Sequence, residues 1–200
     1  MRIALIGAAG SGKTEIAEAL AKEFNLKVID GYAEAWSERT GMVVGFSAGY
    51  PHSLSVALDR VFLEAKEEDD FVTCGTSIDS LMYMAMASLK TPNQIEFARA
   101  KAYMEIIGTL FYDFWNYDHV FMCRMPEGKA PLPEKEETAK ELLENYEFNN
   151  SVKFDLELKD TVKSFMNVDY FELPSKDGSK DAIKKIKESI EEVKDADDKK

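Results

Sequence analysis

The sequence predicts an α/β fold in three layers, with helices on both faces of a five-stranded parallel sheet. Five short apolar runs alternate with amphipathic stretches of helical period, which is typical of parallel strands joined by crossover helices. The first run leads directly into a glycine-rich turn and a helix. No linker-like change in composition interrupts the alternation, so we expect one domain over 1–194 and a charged tail over 195–200. The predicted strands are Arg2–Ile6, Leu26–Asp30, Phe71–Thr76, His119–Arg124 and Asp169–Pro174.

The turn after the first strand fits the phosphate-loop motif G-x-x-x-x-G-K-[ST] over Gly7–Thr14. Its glycines let successive backbone N–H groups point at a phosphate, and the following helix adds a partial positive charge. Lys13 supplies a full charge for the β- and γ-phosphates, and the Thr14 hydroxyl is placed to ligate Mg²⁺. The motif stands between a strand and a helix, which outweighs the alternative of a simple connecting turn. We predict a P-loop NTPase whose phosphate contacts come from Gly7, Ala9, Gly10, Ser11, Gly12, Lys13 and Thr14.

Composition limits the partners of such a domain. A formal net charge of -12 at pH 7 argues against broad binding to nucleic acid backbones, although it does not exclude a small nucleotide. The two cysteines lie in apolar runs, as expected for core residues in a reducing compartment. The chain begins on a strand, without a basic segment followed by an apolar one, and has no apolar run of membrane-spanning length. We therefore expect a cytoplasmic protein without a membrane partner.

The second strand and the stretch after it hold the first acceptor-site candidates. Asp30 ends the strand at the edge where ligands bind in doubly wound sheets, although capping of the following turn is an equal alternative. An insert over about 31–66 carries Trp36, Arg39 and Arg60. Arginine is scarce in this chain and binds phosphate bidentately, so both arginines are candidate phosphate contacts. The Trp36 ring could stack on a base or belong to the core.

Two further candidates follow later strands. Asp79 opens a helix after the third strand, where helix capping and a catalytic role are about equally favoured. Arg124 ends the fourth strand and begins a lid-like loop over about 125–135 that also contains Lys129. Arg124 therefore belongs to the predicted ligand edge of the sheet.

This layout resembles the nucleoside and nucleotide monophosphate kinase branch of the P-loop fold. The shared features are the Gly7–Thr14 loop, five strands, the insert after the second strand and the proline- and glycine-bearing loop after Arg124. The run Phe71–Tyr83 is similar to the third-strand segment of nicotinamide-riboside-kinase-like domains and phage-type deoxynucleotide kinases. The resemblance covers most of the chain in layout, and the phosphate loop is its strict motif match.

The chain departs from this group at two places. The third strand commonly ends in Asp-Arg in that group, whereas Cys74 and Gly75 stand there in this sequence. Asp30 and Asp79 are the carboxylates that could replace the missing aspartate. The lid-like loop is also not rich in arginine, which leaves Arg124 and Lys129 as its candidate cations.

The resemblance implies phosphoryl transfer from ATP, with Mg²⁺, to a small nucleotide. We expect a (deoxy)nucleoside monophosphate kinase in which Lys13, Arg124, Asp30 and Asp79 serve catalysis. The acceptor would be bound by Asp30, Trp36, Arg39 and Arg60. The alternatives are a nucleoside kinase, a kinase of a modified base in DNA, and an ATPase switch that is not a kinase. The sequence does not decide between a monomer and a homodimer.

Overall fold

The computed structural model describes residues 1–29, 32–42, 50–77, 79–80, 117–125, 170–173 and 178–197, with isolated positions 83, 98, 101–102, 105, 152, 155–156 and 159. The strands are β1 Arg2–Ile6, β2 Lys27–Ile29, β3 Phe71–Cys74, β4 His119–Cys123 and β5 Tyr170–Leu173. Within these ranges the helices include α1 Lys13–Phe24, α2 Tyr32–Thr40, α3 Tyr50–Ala65 and α4 Gly178–Asp197.

The strands form a sheet in the order β2-β3-β1-β4-β5, and every neighbouring pair is parallel. β1 is central, with Leu5 opposite Cys74 of β3 on one side and opposite Phe121 of β4 on the other. The α/β fold with a parallel sheet is therefore confirmed. Because parallel strands end at the same edge, the turn after β1 lies between the ends of β3 and β4.

Side chains alternate between the two faces of the sheet, and helices cover both. Alternate residues of β1, β3 and β4 pack with α1 and α4 in one apolar core. On the opposite face, the Thr73 hydroxyl contacts Arg60 and Glu64 of α3. A helix layer on each face therefore holds β1 and its turn in place. The core comprises Ile3, Leu5, Ile16, Ala17, Leu20, Leu26, Val72, Cys74, Phe121, Cys123, Ala182, Ile186 and Ile190.

Helix α3 buries only part of the face that its apolar pattern predicts, since Val61 is buried but Phe62 is not. The pattern placed Phe62 on the packed face and Arg60 beside it, but Phe62 is 57% exposed and Arg60 only 6%. Arg60 is buried because carboxylate, hydroxyl and carbonyl groups satisfy its guanidinium. α3 therefore turns a cation, rather than a phenyl ring, toward the sheet.

Other boundaries also differ from the sequence expectations. Helix α4 continues beyond position 194 to Asp197, into the predicted tail. The long apolar helix predicted before Trp115 and most of the lid-like loop lie outside the described residues. Both cysteines, Cys74 and Cys123, are free and buried, as predicted. No helix in the described part of the chain is long and apolar enough to cross a membrane.

Candidate active site

The Gly7–Thr14 loop joins β1 to α1 at the carboxyl edge of the sheet. Gly7 is packed so closely against β4 that a Cβ atom there would lie 2.4 Å from the carbonyl oxygen of Cys123. Its φ of 147° also lies in a region that favours glycine. The first glycine of the motif is therefore required by the packing of the loop against β4.

Lys13 is folded into its own loop. Its Nζ donates hydrogen bonds to the carbonyl oxygens of Gly7 and Ala8, each at 2.7 Å. Ser11 Oγ lies 3.5 Å away and completes this set of contacts. The ammonium group is thus held by the loop's own oxygens, which a polyphosphate would replace as its partners.

The rest of the loop suits a phosphate ligand and its metal. Ala9, Gly10, Gly12 and Thr14 are exposed, so their N–H groups and the Thr14 hydroxyl can be reached from solvent. Gly12 has a left-handed backbone, φ 81°, immediately before the first turn of α1. Thr14 is the residue that would hold Mg²⁺. Within the described ranges, no group of three or more His, Cys, Asp or Glu side chains forms a further metal site.

Asp79 connects the phosphate loop to the end of β3. Its Oδ1 accepts a hydrogen bond from the backbone N–H of Gly7 at 2.9 Å, and its Oδ2 accepts one from the N–H of Thr76 at 2.6 Å. The second bond is the return contact of a capping box, in which a first-turn side chain accepts from the N–H that precedes the helix. Asp79 is therefore not the N-cap residue that the sequence offered. Burial raises the pKa of the Asp79 carboxyl, and the positive charges of Lys13 and Arg60 oppose that rise.

Arg60 lies beside Asp79 at the carboxyl end of β3. A Cβ atom built on Gly75 would be 3.4 Å from Asp79 Oδ2 and 3.5 Å from Arg60 Nη1. Arg60 Nη2 donates to Thr73 Oγ1 and to the Cys74 carbonyl oxygen, each at 2.7 Å. The predicted acceptor cation therefore sits at the carboxyl end of β3, next to the carboxylate that contacts the phosphate loop.

A second carboxylate holds Arg60 from the other side. Glu64 Oε1 accepts from Arg60 Nε at 3.2 Å and from Thr73 Oγ1 at 3.0 Å. Tyr117 donates its hydroxyl hydrogen to Glu64 Oε2. Burial raises the Tyr117 pKa well above its ordinary value, with a smaller contribution from the Glu64 charge. Glu64 and Tyr117 were not predicted as site residues because their role depends on contacts between α3, β3 and the start of β4.

The two other candidates of the insert occupy different surroundings. Arg39 is exposed and pairs with Asp59, Nη2 to Oδ2 at 3.0 Å, between α2 and α3. Trp36 is buried, 4% exposed, and its ring lies 6.3 Å from that of His52 at an angle of 48°. The structure therefore places Arg39 on the surface and Trp36 in the contact between α2 and α3.

Arg124 is held by a residue that the sequence did not reveal. Its Nε donates to Asp155 Oδ2 at 2.7 Å, and the backbone N–H of Met125 donates to Asp155 Oδ1 at 3.0 Å. Asp155 is only 2% exposed. The Met125 side chain in turn approaches Gly10, which places this pair next to the phosphate loop. No local pattern could have linked Asp155 to Arg124, because 31 residues separate them.

Asp30, Lys129 and most of the 125–135 loop lie outside the described residues. Among the predicted residues, the structure brings Lys13, Asp79 and Arg60 together around the ends of β1 and β3. Arg124 flanks the loop on the β4 side.

The fold is similar to solved kinases. Deoxyadenosine kinase from M. mycoides, with products dCMP and a flexible dCDP bound, superposes with a TM-score of 0.63 at 16% identity, over 96% of this chain and 100% of that one. The structure of deoxyadenosine kinase from M. mycoides with bound dATP gives 0.62 at 15% identity, with the same coverage. The NadR protein in complex with NR gives 0.60 at 15% identity, over 91% of this chain and 50% of that chain. No protein-family model and no curated protein matches the sequence.

At these identities the similarity shows the fold: this is a kinase-like P-loop α/β fold with a parallel sheet.

Proposed function

We propose that the protein transfers a phosphoryl group from ATP to a small nucleotide, with a (deoxy)nucleoside monophosphate as the acceptor. The observation that carries this proposal is the placement of three groups at one edge of the sheet. Lys13 lies in the phosphate loop, Asp79 binds Gly7 of that loop, and Arg60 lies beside Asp79. A donor phosphate and an acceptor phosphate could be held next to each other there.

Phosphoryl transfer requires mainly positioning and charge neutralisation from the protein. The loop N–H groups and Lys13 bind the donor phosphates in this proposal, and Thr14 would hold Mg²⁺. Mg²⁺, when bound, supplies charge that neutralises the phosphate oxygens. Asp79 holds the loop in shape through Gly7, because both of its oxygens already accept backbone hydrogen bonds. Arg124 supplies positive charge from the β4 side.

The acceptor is assigned to the space between the end of β3 and the insert. Arg60 contacts the acceptor phosphate, and Arg39 contributes when its pair with Asp59 opens. A surface pair of this kind contributes only about 0–1 kcal/mol to stability. Replacing Asp59 by a phosphate as the partner of Arg39 therefore costs little free energy. Trp36 and Asp30 remain acceptor-site predictions, Asp30 as a group that orients the attacking oxygen.

The second candidate acceptor is a nucleoside without a phosphate. Two observations favour it. Both arginines of the insert are already paired with carboxylates, Arg39 with Asp59 and Arg60 with Glu64. The fold neighbours include deoxyadenosine kinase, whose name denotes a nucleoside acceptor. A nucleoside hydroxyl needs a general base more than an ionised phosphate does, and Asp30 or Asp79 would then take that role.

An acceptor panel tests the proposal. The protein is incubated with Mg-ATP and each of the four deoxynucleosides, four ribonucleosides and their 5′-monophosphates, and ADP is measured. ADP that depends on a monophosphate supports the first acceptor class, and ADP that depends on a nucleoside supports the second. ADP release that is the same with and without every acceptor would contradict the kinase proposal and favour an ATPase switch. A modified base in DNA is the least favoured acceptor, because the chain carries a net charge of -12.

Lys13→Met removes the loop charge and should reduce turnover by about 10²–10³-fold. Lys22→Met, an exposed position on α1, is the matched control and should leave turnover unchanged. Unreduced turnover in the Lys13 variant would overturn the assignment of the phosphate loop. The cytoplasmic location remains a prediction, and a mass measurement in solution decides between a monomer and a homodimer.

A further inference from the structure

Asp155 is a buried carboxylate that binds two consecutive residues just beyond β4. It lies in a helical segment whose next residue, Leu156, is 55% exposed, so this segment turns Asp155 inward. Its Oδ2 accepts a hydrogen bond from Arg124 Nε at 2.7 Å, and its Oδ1 accepts one from the Met125 backbone N–H at 3.0 Å. Because both oxygens are engaged, the carboxylate is fixed in orientation relative to the end of β4.

The backbone on both sides of Arg124 packs against the phosphate loop. The carbonyl oxygen of Cys123 lies 2.4 Å from where a Cβ atom on Gly7 would be. The Met125 side chain lies 4.0 Å, measured at Cε, from where a Cβ atom on Gly10 would be. Arg124 is therefore anchored between two residues that contact the loop, and Asp155 fixes both its side chain and the backbone that follows.

The arginine is the partner of this pair that solvent reaches. The Arg124 side chain is 20% exposed, whereas that of Asp155 is 3% exposed. The neighbouring loop residues Ala9, Gly10 and Gly12 are exposed as well. A ligand that enters the phosphate loop from solvent can therefore reach the guanidinium of Arg124, with the buried carboxylate behind it.

Stability alone does not account for an ion pair with a buried carboxylate. Removing a carboxylate from water costs free energy that pairing with a cation offsets only in part, and an apolar pair of similar volume is often as stable. The pair does supply a fixed geometry. An arginine side chain has several rotatable bonds, and ordering them costs entropy when a ligand binds. A carboxylate that orders Arg124 beforehand removes this cost from phosphate binding.

We propose that Asp155 is the positioning residue for Arg124 in phosphoryl transfer. Asp155 holds the guanidinium through its Nε–H, and the Nη groups of the same rigid fork donate to the oxygens of the transferred phosphate as their charge develops. Asp155 itself contacts no substrate and acts through Arg124. This inference rests on the proposed kinase function, and it adds to the site a residue that lies far outside the phosphate-loop motif.

The first test asks whether Asp155 acts through Arg124. At saturating Mg-ATP and with the acceptor that the panel identifies, kcat per folded molecule should fall about 10²–10³-fold in Arg124→Ala and about 10–100-fold in Asp155→Asn, with KM for ATP little changed. The double variant should be no slower than Arg124→Ala, because Asp155 then has no arginine to orient. Glu188→Gln removes the carboxylate of an exposed ion pair on α4 and should leave kcat unchanged.

The second test supplies the missing group as a small cation. In Arg124→Ala, millimolar methylguanidinium chloride should raise turnover saturably, because the Asp155 carboxylate can hold the cation where the side chain stood. With Asp155→Asn added to that variant, the gain at the same concentration should fall about tenfold, the size of one charge-assisted hydrogen bond. Methylammonium chloride controls for charge and ionic strength and should produce no gain.

The outcomes separate this inference from the function on which it rests. Acceptor-dependent ADP formation with an unchanged kcat in Asp155→Asn would overturn the positioning role and leave the kinase intact. Losses that multiply in the double variant, or equal rescue with and without Asp155, would do the same. If ADP release is independent of every acceptor, the kinase proposal fails, and the same variants assayed on that release decide the role of Asp155. If no ADP forms with any compound, both proposals fail.

Asp155→Glu replaces Asp155→Asn if the latter does not fold. It retains the charge and moves it by one methylene group, so the guanidinium is displaced while the ion pair persists. We expect kcat in Asp155→Glu to lie between the values of wild type and Arg124→Ala. A kcat equal to that of wild type would contradict a role in positioning.

Discussion

The carboxylate of Asp79 accepts a hydrogen bond from the backbone N–H of Gly7 at 2.9 Å, across 72 residues of sequence. Gly7 is the first glycine of the phosphate loop, and Asp79 belongs to the segment after β3. The same carboxylate accepts a hydrogen bond from the N–H of Thr76, so one side chain connects the phosphate loop to the end of the neighbouring strand. The shape of the loop therefore depends on a residue outside the motif.

Replacing Asp79 by Asn should make the stability difference between the two proteins depend on pH. Burial raises the Asp79 pKa above its ordinary value of 3.8, so the folded protein binds this proton more tightly than the unfolded chain does. The contribution of Asp79 to stability must then fall as pH rises from below 3.8 through the raised pKa. Urea unfolding of wild type and variant between about pH 3 and pH 7 measures this difference.

The same variant should also weaken ATP binding about tenfold. The Asn amide offers one acceptor oxygen where two backbone N–H groups need one each, so one of them loses its partner. Asp69→Asn, in the exposed turn before β3, is the control. Unchanged ATP affinity in Asp79→Asn would show that the loop keeps its shape without this contact.

Two glycines of the loop should respond very differently to alanine. A Cβ atom on Gly7 meets the Cys123 carbonyl oxygen at 2.4 Å, whereas one on Gly12 meets nothing within 4 Å. Gly12→Ala should cost about 1 kcal/mol, the strain of its left-handed backbone. Gly7→Ala should cost more than about 2 kcal/mol because β4 must also move. Equal midpoints of thermal unfolding for the two variants would contradict this packing.

The Arg124–Asp155 pair should be energetically coupled. Asp155 is nearly buried and binds both the guanidinium of Arg124 and the N–H of Met125. Removing either charge breaks this largely buried contact, so Arg124→Met and Asp155→Asn should each destabilise the fold by about 2–3 kcal/mol. The double variant should lose less than the sum by about 1–2 kcal/mol in a double-mutant cycle. Strict additivity would mean that the two side chains are not energetically coupled.

The two thiols should be unreactive in the native protein. Burial raises the pKa of Cys123 to about 12, so only about one thiol in 10⁴ is ionised at pH 8. Cys74 is also buried. Titration with a disulfide reagent should detect almost no thiol in buffer and two per chain in guanidinium. Rapid reaction of one thiol in buffer would place that cysteine at the surface.

The sequence predicts the strand, loop and first helix well because their determinants are contiguous. Glycine positions, the lysine and the apolar spacing of α1 act over a few residues each, and the structure agrees with them. The capping contact of Asp79 with Thr76 is equally local, three residues apart. The contact of Asp79 with Gly7 spans 72 residues, and no pattern in the sequence predicts it.

The burial of Arg60 shows why the rest could not be predicted. A guanidinium is buried only where several partners satisfy it, and those partners come from α3 and β3. Apolar spacing therefore assigned the face of α3 to Phe62, which the structure leaves exposed. The role of Asp155 is similarly invisible, because its two partners lie 31 and 30 residues away in the sequence.

The strand order also has a consequence for the growing chain. β1 and β2 are consecutive in sequence but are separated in the sheet by β3, so a gap between them persists until residues 71–74 have been made. The phosphate loop then still lacks β4, whose Cys123 carbonyl packs on Gly7. Although the loop occupies the start of the chain, its supports are complete only after residue 123 has been synthesised. The loop can therefore take its final shape only when more than half of the 200 residues have been synthesised.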